Sequence, residues 1–208
     1  MEASIRQAQT ARPCLQSFGL TVGGLFVPPF SLRSGESLCL HVGPSTIPWY
    51  DGLLPLFTGK ATHPGLQIRG SVRYLERPMP RRRWWGRLDD PSISAWLLNE
   101  ARIDPERMND ILARLAVTPD VRIGYLGGDP RTILALEAVL AHPPNLLVFD
   151  TAGNSPQAIQ EVFGRLSSRP PEMALTYLKL LHNPDAPCVP GAVCLDLVAE
   201  TKPLLAVE

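Results

Sequence analysis

The sequence lacks a net charge. Its 20 lysines and arginines balance 20 aspartates and glutamates, and the pI is about 6.9. A protein that attracts nucleic acid or an anionic membrane surface through its overall field carries a clear excess of positive charge. The composition supports neither partner, and we expect no nucleic acid to be bound.

Long hydrophobic runs are also missing. The longest apolar stretches, such as "NLLVFD" and "LCLHVG", are far shorter than the roughly 20 residues of a transmembrane helix. The first residues, "MEASIRQAQTARPC", contain no apolar segment of the signal-peptide kind. We therefore expect neither a membrane span nor a secretory leader, and a reducing cytoplasm is the expected environment.

Cysteine spacing excludes the common zinc motifs. The four cysteines show no CxxC pair and stand at Cys14, Cys39, Cys188 and Cys194. Cys39 and Cys194 lie in apolar runs, which predicts buried thiols. We expect no metal site on this evidence.

What is present is the composition of a globular protein. Hydrophobic residues make up 45% and charged residues 19% of the chain. Its 208 residues are enough for one sizeable domain, or for a main domain with a small appendage. The 22 prolines predict many loops and short elements. The N-terminal part is β-rich: antiparallel or edge strands over 15–33, a buried strand within 35–43, a short helix within 51–59 and a strand over 65–76.

The middle of the chain differs in composition from the β-rich N-terminal part. Residues 77–91 form a basic, proline-broken stretch, and two helices are predicted between 92 and 117. Ser92 and Asp104 are the expected N-caps, with Pro105 in the first helical position. These helices predict a small helical insert.

The C-terminal part contains the best-defined unit. Asp129 and Pro130 predict the cap of a helix over 130–142. "NLLVFD" is typical of a strand buried on both faces, and a second helix and a second strand follow it. The unit therefore predicts βαβ connectivity and a parallel sheet. The end of the chain, "GAVCLDLVAETKPLLAVE", predicts a strand, a turn and another strand.

The order of these parts resembles one family, the ATP-binding cassette of ABC transporters, over nearly the whole chain. "SLRSGESLCLHVGPS" resembles the strands that enter the family's phosphate loop. "LGGDP", 126–130, aligns with the signature Leu-Ser-Gly-Gly-Gln, and Asp150 then falls at the Walker B position without a gap. The motifs are individually weak, and the resemblance depends on their order and spacing.

This resemblance implies an α/β, P-loop NTPase-like fold with a mixed central sheet, an antiparallel β edge and a small helical insert. It divides the chain into a β-rich part of the core with the phosphate loop (1–91), a helical subdomain (92–125) and the rest of the core (126–208).

The phosphate loop departs from the family. A working loop reads G-x-x-x-x-G-K-[ST], in which backbone N–H groups and a lysine meet the phosphates. The matching stretch, "GPSTIPWYDGLL" (43–54), keeps Gly43, Pro44 and Ser45 but contains no lysine. Pro48 removes a backbone donor, and Asp51 adds negative charge. These changes predict a loop that has lost nucleotide binding.

The catalytic motifs depart as well. Asp150 stands at the Walker B position, but Thr151 replaces the glutamate that polarises water. Asp150 is thus either vestigial or a cap for backbone groups at the strand end. His182 resembles the family's switch histidine, although a lone histidine at a strand end is more often structural. No glutamine occurs in 68–125, where the family has a glutamine facing the permease.

The signature stretch keeps more of its pattern. In the family it binds, in trans, the nucleotide held by a partner cassette. Leu126, Gly127 and Gly128 retain the helix start that such binding uses, whereas Asp129 adds a negative charge there. The alternatives are a helix cap and residual contact with a partner's ATP and Mg²⁺.

A docking surface is the remaining candidate. The stretch "RPMPRRRWWGR" combines positive charge with amphipathic rings, and the family's corresponding region faces the permease. The candidate residues are Arg81, Arg82, Arg83, Trp84 and Trp85. The alternatives are lipid headgroups as ligand and a solvated basic loop with the tryptophans packed under it. Nucleic-acid stacking is a further option, which the neutral chain disfavours.

These features together predict a degenerate, non-hydrolysing cassette subunit of an ABC transporter. It would pair with a second, competent cassette subunit and with an integral membrane permease, peripheral to the cytoplasmic face of the membrane. The alternatives are an active ATPase with an atypical site and a stand-alone scaffold that reuses the fold.

Overall fold

The computed structural model describes residues 13–42, 49–82, 88–180 and 191–199. The strands are β1 (Leu15–Ser17), β2 (Leu20–Val22), β3 (Leu25–Val27), β4 (Phe30–Leu32), β5 (Ser37–Val42), β6 (Leu66–Ile68), β7 (Val72–Tyr74), β8 (Arg81–Arg82), β9 (Leu88–Asp89), β10 (Leu146–Asp150), β11 (Ala174–Leu180) and β12 (Val193–Ala199). The helices are α1 (Leu54–Phe57), α2 (Ile93–Asn99), α3 (Pro105–Leu115), α4 (Gly128–Ala141) and α5 (Pro156–Ser167).

The main sheet is mixed and has seven strands in the order β2-β3-β12-β5-β11-β10-β7. The strands from β12 to β7 pair in parallel, whereas β3 and β2 add antiparallel pairs at one edge. The mixed sheet with an antiparallel edge confirms the predicted fold class. The βαβ unit is also confirmed, because β10 and β11 are parallel neighbours joined by α5.

A second, three-stranded antiparallel sheet has the order β4-β1-β6. Its side chains share a core with α1 and one face of the main sheet, around Leu15, Phe57 and Leu40. All four strands within 15–33 thus pair antiparallel as predicted, although β1 and β4 belong to this sheet and β2 and β3 to the main sheet.

The predicted single strand over 65–76 is wrong in one respect. It is two strands, since β6 pairs with β1 and β7 pairs with β10 in the other sheet. The chain turns between them at Gly70, where φ is +85° and the Asn145 side chain lies against the backbone. A side chain at Gly70 would be strained and would meet Asn145, so the turn requires glycine.

The opposite face of the main sheet is covered by α4 and α5. Phe149 on β10, Tyr177 on β11 and Phe163 on α5 form its aromatic centre, with ring centroids 5.1 to 5.9 Å apart. All three rings are buried. This layer fixes the positions at which α4 begins and β10 ends.

The two predicted helices of the insert are α2 and α3. Their caps are confirmed, because Ser92 accepts a hydrogen bond from the N–H of Ala95 and Asp104 accepts one from Arg107. With α4 they enclose a separate apolar cluster that includes Ile93 and Ile111. The boundaries of the three predicted parts stay a prediction.

Two sequence predictions need correction. The helix α4 begins at Gly128 with Gly127 as its N-cap, so Asp129 and Pro130 lie inside its first turn and do not cap it. Cys194 is exposed, whereas Cys39 is buried as predicted. The start of β12 is exposed on both faces, since Val193 and Cys194 point to opposite faces and both are exposed.

The basic stretch after β7 contains a short antiparallel pair of strands, β8 and β9. Among the described stretches of chain, no helix is both long and apolar enough to cross a bilayer.

Candidate functional site

The candidate site lies at the carboxyl ends of the parallel strands. The ends of β7 and β10 are adjacent there, because Tyr74 pairs in register with Val148, two residues before Asp150. Side chains two residues apart on a strand share a face. Tyr74 and Asp150 therefore project from the same face, and the Tyr74 hydroxyl donates a hydrogen bond to Oδ2 of Asp150.

The Asp150 carboxylate uses both oxygens within the chain. Its Oδ1 accepts the backbone N–H of Ala152 at 2.9 Å, while Oδ2 accepts the Tyr74 hydroxyl. Hydrogen bonds to an ionised carboxylate are the stronger kind, and they hold the side chain in one orientation. Asp150 is half-buried, and the neighbouring Thr151 is buried.

Arg77 binds the turn that follows β10. Its guanidinium donates to the carbonyl of Ala152 and, at 3.3 Å, to the carbonyl of Gly153. A Cβ at Gly128 would come within 3.4 Å of the same guanidinium, so the start of α4 approaches it closely. Arg77 thus connects the end of β7, the turn after β10 and the start of α4.

The first turn of α4 is tied to the same segment by side chains. The Thr132 hydroxyl and Oδ1 of Asn154 lie 2.6 Å apart, and Oδ1 of Asp129 accepts the N–H of Ser155 at 3.0 Å. The Ser155 hydroxyl and N–H lower the pKa of the Asp129 carboxyl below its usual value. Ser155 in turn caps α5 by accepting the N–H of Ala158.

Two cavities open beside these contacts. The smaller, of about 280 Å³, is lined by Tyr74, Leu75, Glu76, Arg77, Met79, Thr132, Asp150 and Asn154. The larger, of about 390 Å³, extends towards the helical insert. There Trp96 of α2 and Glu100, the residue after that helix, line the cavity together with Met79 and Arg81. Arg81 and Glu100 form an ion pair at 3.0 Å across it.

Solved structures with this architecture are ATP-binding cassettes. A metal-chelate type ABC transporter in an inward-facing conformation superposes with a TM-score of 0.61 at 16% identity, covering 89% of this chain and 79% of that chain. A nucleotide-free ATP-binding cassette from an ABC transporter gives 0.61 at 13% identity, covering 90% and 88%. CbiO1 from Clostridium perfringens, part of the ABC transporter complex CbiONQ, gives 0.54 at 15% identity, covering 81% and 79%.

This chain has the fold of an ATP-binding cassette. At these identities the likeness establishes the fold. No family model matches the sequence, and no curated protein matches it either.

The cassette fold brings several predicted residues together. Asp150 ends β10, and Gly127 and Gly128 begin α4, as the resemblance implied, with Leu126 half-buried just before them. Arg77 and the link from Asp129 to Ser155 hold the turn after β10 and the start of α4 close together.

Other predicted residues lie outside the described chain. These are Gly43, Pro44 and Ser45 of the phosphate loop, the switch candidate His182, and Arg83, Trp84 and Trp85 of the docking stretch. The structure describes the elements on either side of residues 43–48: β5 ends at Val42, and a helical turn begins at Trp49.

Two residues of the site, Tyr74 and Arg77, are not predicted by the sequence. Tyr74 lies in the predicted strand over 65–76, and Arg77 begins the basic stretch, whose predicted docking residues are 81–85. Neither residue belongs to a motif, so their role depends on β7 being the neighbour of β10, which no local pattern in the sequence indicates.

Proposed function

We propose that this chain is a degenerate cassette subunit of an ABC transporter that does not hydrolyse nucleotide. It pairs with a competent cassette subunit and with a membrane permease. The observation that carries the proposal is the engagement of Asp150 by Tyr74 and by the N–H of Ala152 in a chain with the cassette fold. The same chain has no lysine in 43–54.

The donor set does not fit Mg²⁺ with ATP. Magnesium in such sites is held by carboxylate, hydroxyl and phosphate oxygens, and the phosphate charge is met by a lysine. Here the Asp150 oxygens accept hydrogen bonds from a phenol and a backbone amide. No step of hydrolysis is therefore assigned to this chain's own site.

The position after the Walker B aspartate supports the same proposal. Thr151 cannot act as a general base at neutral pH, because a hydroxyl keeps its proton there. Its side chain is also buried at the end of β10. Thr151 therefore cannot polarise an attacking water.

A trans role remains for the start of α4. In the proposed pairing, Leu126, Gly127 and Gly128 face ATP and Mg²⁺ held by the partner subunit, since helix N-termini favour anions. Asp129 opposes this less than the sequence suggests, because its carboxylate is engaged by the N–H of Ser155.

The larger cavity supports a docking role. It is lined by an aromatic ring (Trp96), a flexible thioether (Met79) and the Arg81–Glu100 ion pair, a mixture typical of surfaces that receive an amphipathic segment. We propose that a permease segment docks there and contacts Arg81; the other predicted docking residues, Arg82, Arg83, Trp84 and Trp85, follow Arg81 directly in the sequence. Such docking would place the chain at the cytoplasmic face of a membrane.

The decisive experiment isolates the native complex from membranes by a tag on this chain, with and without ATP, and identifies its components by mass spectrometry. A second cassette subunit and a multi-span protein are expected. If this chain is recovered without partner proteins, both with and without ATP, the proposal is contradicted.

The variant Arg81→Glu tests the docking surface. Reversal of this charge is expected to reduce the recovery of the permease several-fold. The control is Arg33→Glu, at an exposed position.

An active ATPase with an atypical site is the second candidate, and one observation favours it. The carboxylate of Glu76 is exposed and lines the same small cavity as Asp150, so it could polarise a water there. ATP turnover by the purified chain, abolished by Glu76→Gln and unchanged by the exposed Glu172→Gln, would establish this second function. We expect neither variant to alter a rate that is already at background.

A further inference from the structure

Three metal-binding side chains meet on one face of the main sheet. Cys39 and His41 are two residues apart on β5, and Cys194 on β12 is the register partner of Cys39. Side chains at such positions share a face, and parallel neighbours lie about 4.8 Å apart. The two Sγ atoms and a ring nitrogen of His41 all lie within 4.8 Å of one another.

We propose that Cys39, His41 and Cys194 form a zinc site. Two thiolates and one imidazole are ligands that Zn²⁺ prefers, and tetrahedral zinc accepts them with one further ligand such as water. At Zn–S distances of about 2.3 Å the two sulfurs of a tetrahedral site lie about 3.8 Å apart. The observed separations exceed this value by at most about 1 Å, which the side chains would have to close on binding.

The three residues differ in exposure, and the exposed one gives a metal ion access to the site. Cys39 is fully buried, His41 is half-buried and Cys194 is exposed. A metal would therefore reach the cluster from the Cys194 side, where the fourth coordination position stays open to solvent. Both strands belong to the centre of a paired sheet, so the ligands are held by rigid elements and little ordering is needed on binding.

A metal ion at this site would lie close to the stretch matched to the phosphate loop. His41 stands two residues before Gly43, at the end of β5 that enters the stretch matched to the phosphate loop. A zinc ion bound to β5 and β12 would cross-link the two strands at this end. The site is separate from Asp150 and does not depend on the proposed transporter role.

Spectroscopy with Co²⁺ in place of zinc tests the ligand set. The purified full chain, reduced and stripped of metal, is titrated with Co²⁺ alone. One equivalent is expected to give a sulfur-to-cobalt charge-transfer band and the intense visible bands of tetrahedral coordination. A spectrum without the charge-transfer band overturns the proposal.

Single variants assign the ligands. Cys194→Ser, at an exposed position, should lower Zn²⁺ affinity about 100-fold or more in a chelator competition assay, and His41→Ala should do the same, because even outer-shell losses cost 10- to 100-fold. The matched control is Cys14→Ser, which removes a buried thiol that donates to the carbonyl of Leu32 in a different cluster. Its affinity should stay within threefold of the parent.

Further measurements distinguish the loss of a zinc ligand from unfolding and from disulfide formation. Circular dichroism of metal-free Cys194→Ser should match the parent, so that lost affinity cannot be ascribed to unfolding. Zinc should raise the Tm of the parent and of Cys14→Ser but not of Cys194→Ser. Undiminished zinc binding by Cys194→Ser and His41→Ala, or a Cys39–Cys194 disulfide in the freshly isolated protein by mass spectrometry, overturns the proposal.

Discussion

At the scale of single residues, the hydrogen bond from Tyr74 to Asp150 joins β7 to β10 at the candidate site. Its partners are 76 residues apart in sequence, and both are partly buried. Such a bond stabilises the folded chain because a carboxylate accepts more strongly than a neutral group. The same bond holds Asp150 in the orientation that the proposed loss of metal binding requires.

Tyr74→Phe is therefore expected to lower the free energy of unfolding by about 1.5 kcal/mol, the cost of one hydrogen bond to a charged group that water can partly replace. Urea unfolding followed by circular dichroism measures this change. Tyr125→Phe is the matched control, because Tyr125 is 83% exposed and its variant should unfold like the parent. Equal losses in both variants would contradict the role assigned to Tyr74.

Asp129 gives a pH-dependent prediction. Hydrogen bonds from Ser155 lower the pKa of this carboxyl in the folded state. A group with a depressed folded pKa stabilises the protein above its unfolded pKa, about 3.9 for aspartate, and loses that contribution as the pH falls through the folded value.

Asp129→Asn should therefore be less stable than the parent at pH 6, and the difference should narrow as the pH falls below about 4. Urea midpoints at a series of pH values measure this difference. Asp110→Asn, at an exposed position on α3, should track the parent throughout. A constant difference between Asp129→Asn and the parent at every pH would show that the charge is not involved.

At the scale of secondary-structure elements, one buried carboxylate connects three helices. Glu137 on α4 pairs with Arg114 on α3 at 2.6 Å and with Arg165 on α5. Its side chain is only 7% exposed, whereas Arg114 is half-exposed. Arg165 is only 23% exposed, so its pair with Glu137 carries most of the energy and joins α4 to α5. The pair with Arg114 attaches the helical insert to this layer.

Glu137→Ala should destabilise the chain by about 2–3 kcal/mol, below the roughly 3–5 kcal/mol typical of a broken buried pair, because Arg165 keeps Glu161 as a partner at 2.7 Å. Thermal and urea unfolding measure the loss. Glu106→Ala, in the exposed first turn of α3, is the control and should cost much less. A loss of under 0.5 kcal/mol for Glu137→Ala, within the range of ordinary surface substitutions, would refute this account.

At the scale of the whole molecule, Arg169 connects the N-terminal and C-terminal parts of the core. Its guanidinium donates to the carbonyl of Gly35 and the hydroxyl of Ser37, each at 2.7 Å, and to the carbonyls of Leu166 and Met173. One planar side chain thus joins the end of α5 to the start of β5. Four acceptors around one cation make this a well-satisfied, partly buried network.

Arg169→Met should lower the free energy of unfolding by about 3 kcal/mol, since several charge-assisted hydrogen bonds are lost and buried acceptors remain. Arg169→Lys should recover less than half, because an ammonium cannot reach all four acceptors with the geometry of the guanidinium. Urea midpoints of both variants, with the exposed Arg33→Met as control, measure these effects. If Arg169→Lys is as stable as the parent, the planar geometry of the guanidinium is not what stabilises the fold.

Local chemistry made much of the fold predictable. A run of apolar residues such as "NLLVFD" must be buried on both faces, and Ser92 and Asp104 cap helices because their side chains accept N–H groups a few residues ahead. The same chemistry was insufficient at Asp129, where the acceptor serves a neighbouring segment, Ser155, and the helix begins earlier.

The sequence by itself determined the types and order of the elements and the chemical content of the phosphate-loop stretch, which has no lysine wherever it lies. Only the tertiary structure decided that Tyr74 meets Asp150 and that Cys39 and His41 meet Cys194. The physical reason is that caps and apolar periodicity act within a few residues, whereas the neighbours of a strand in a sheet are set by burial summed over the whole chain.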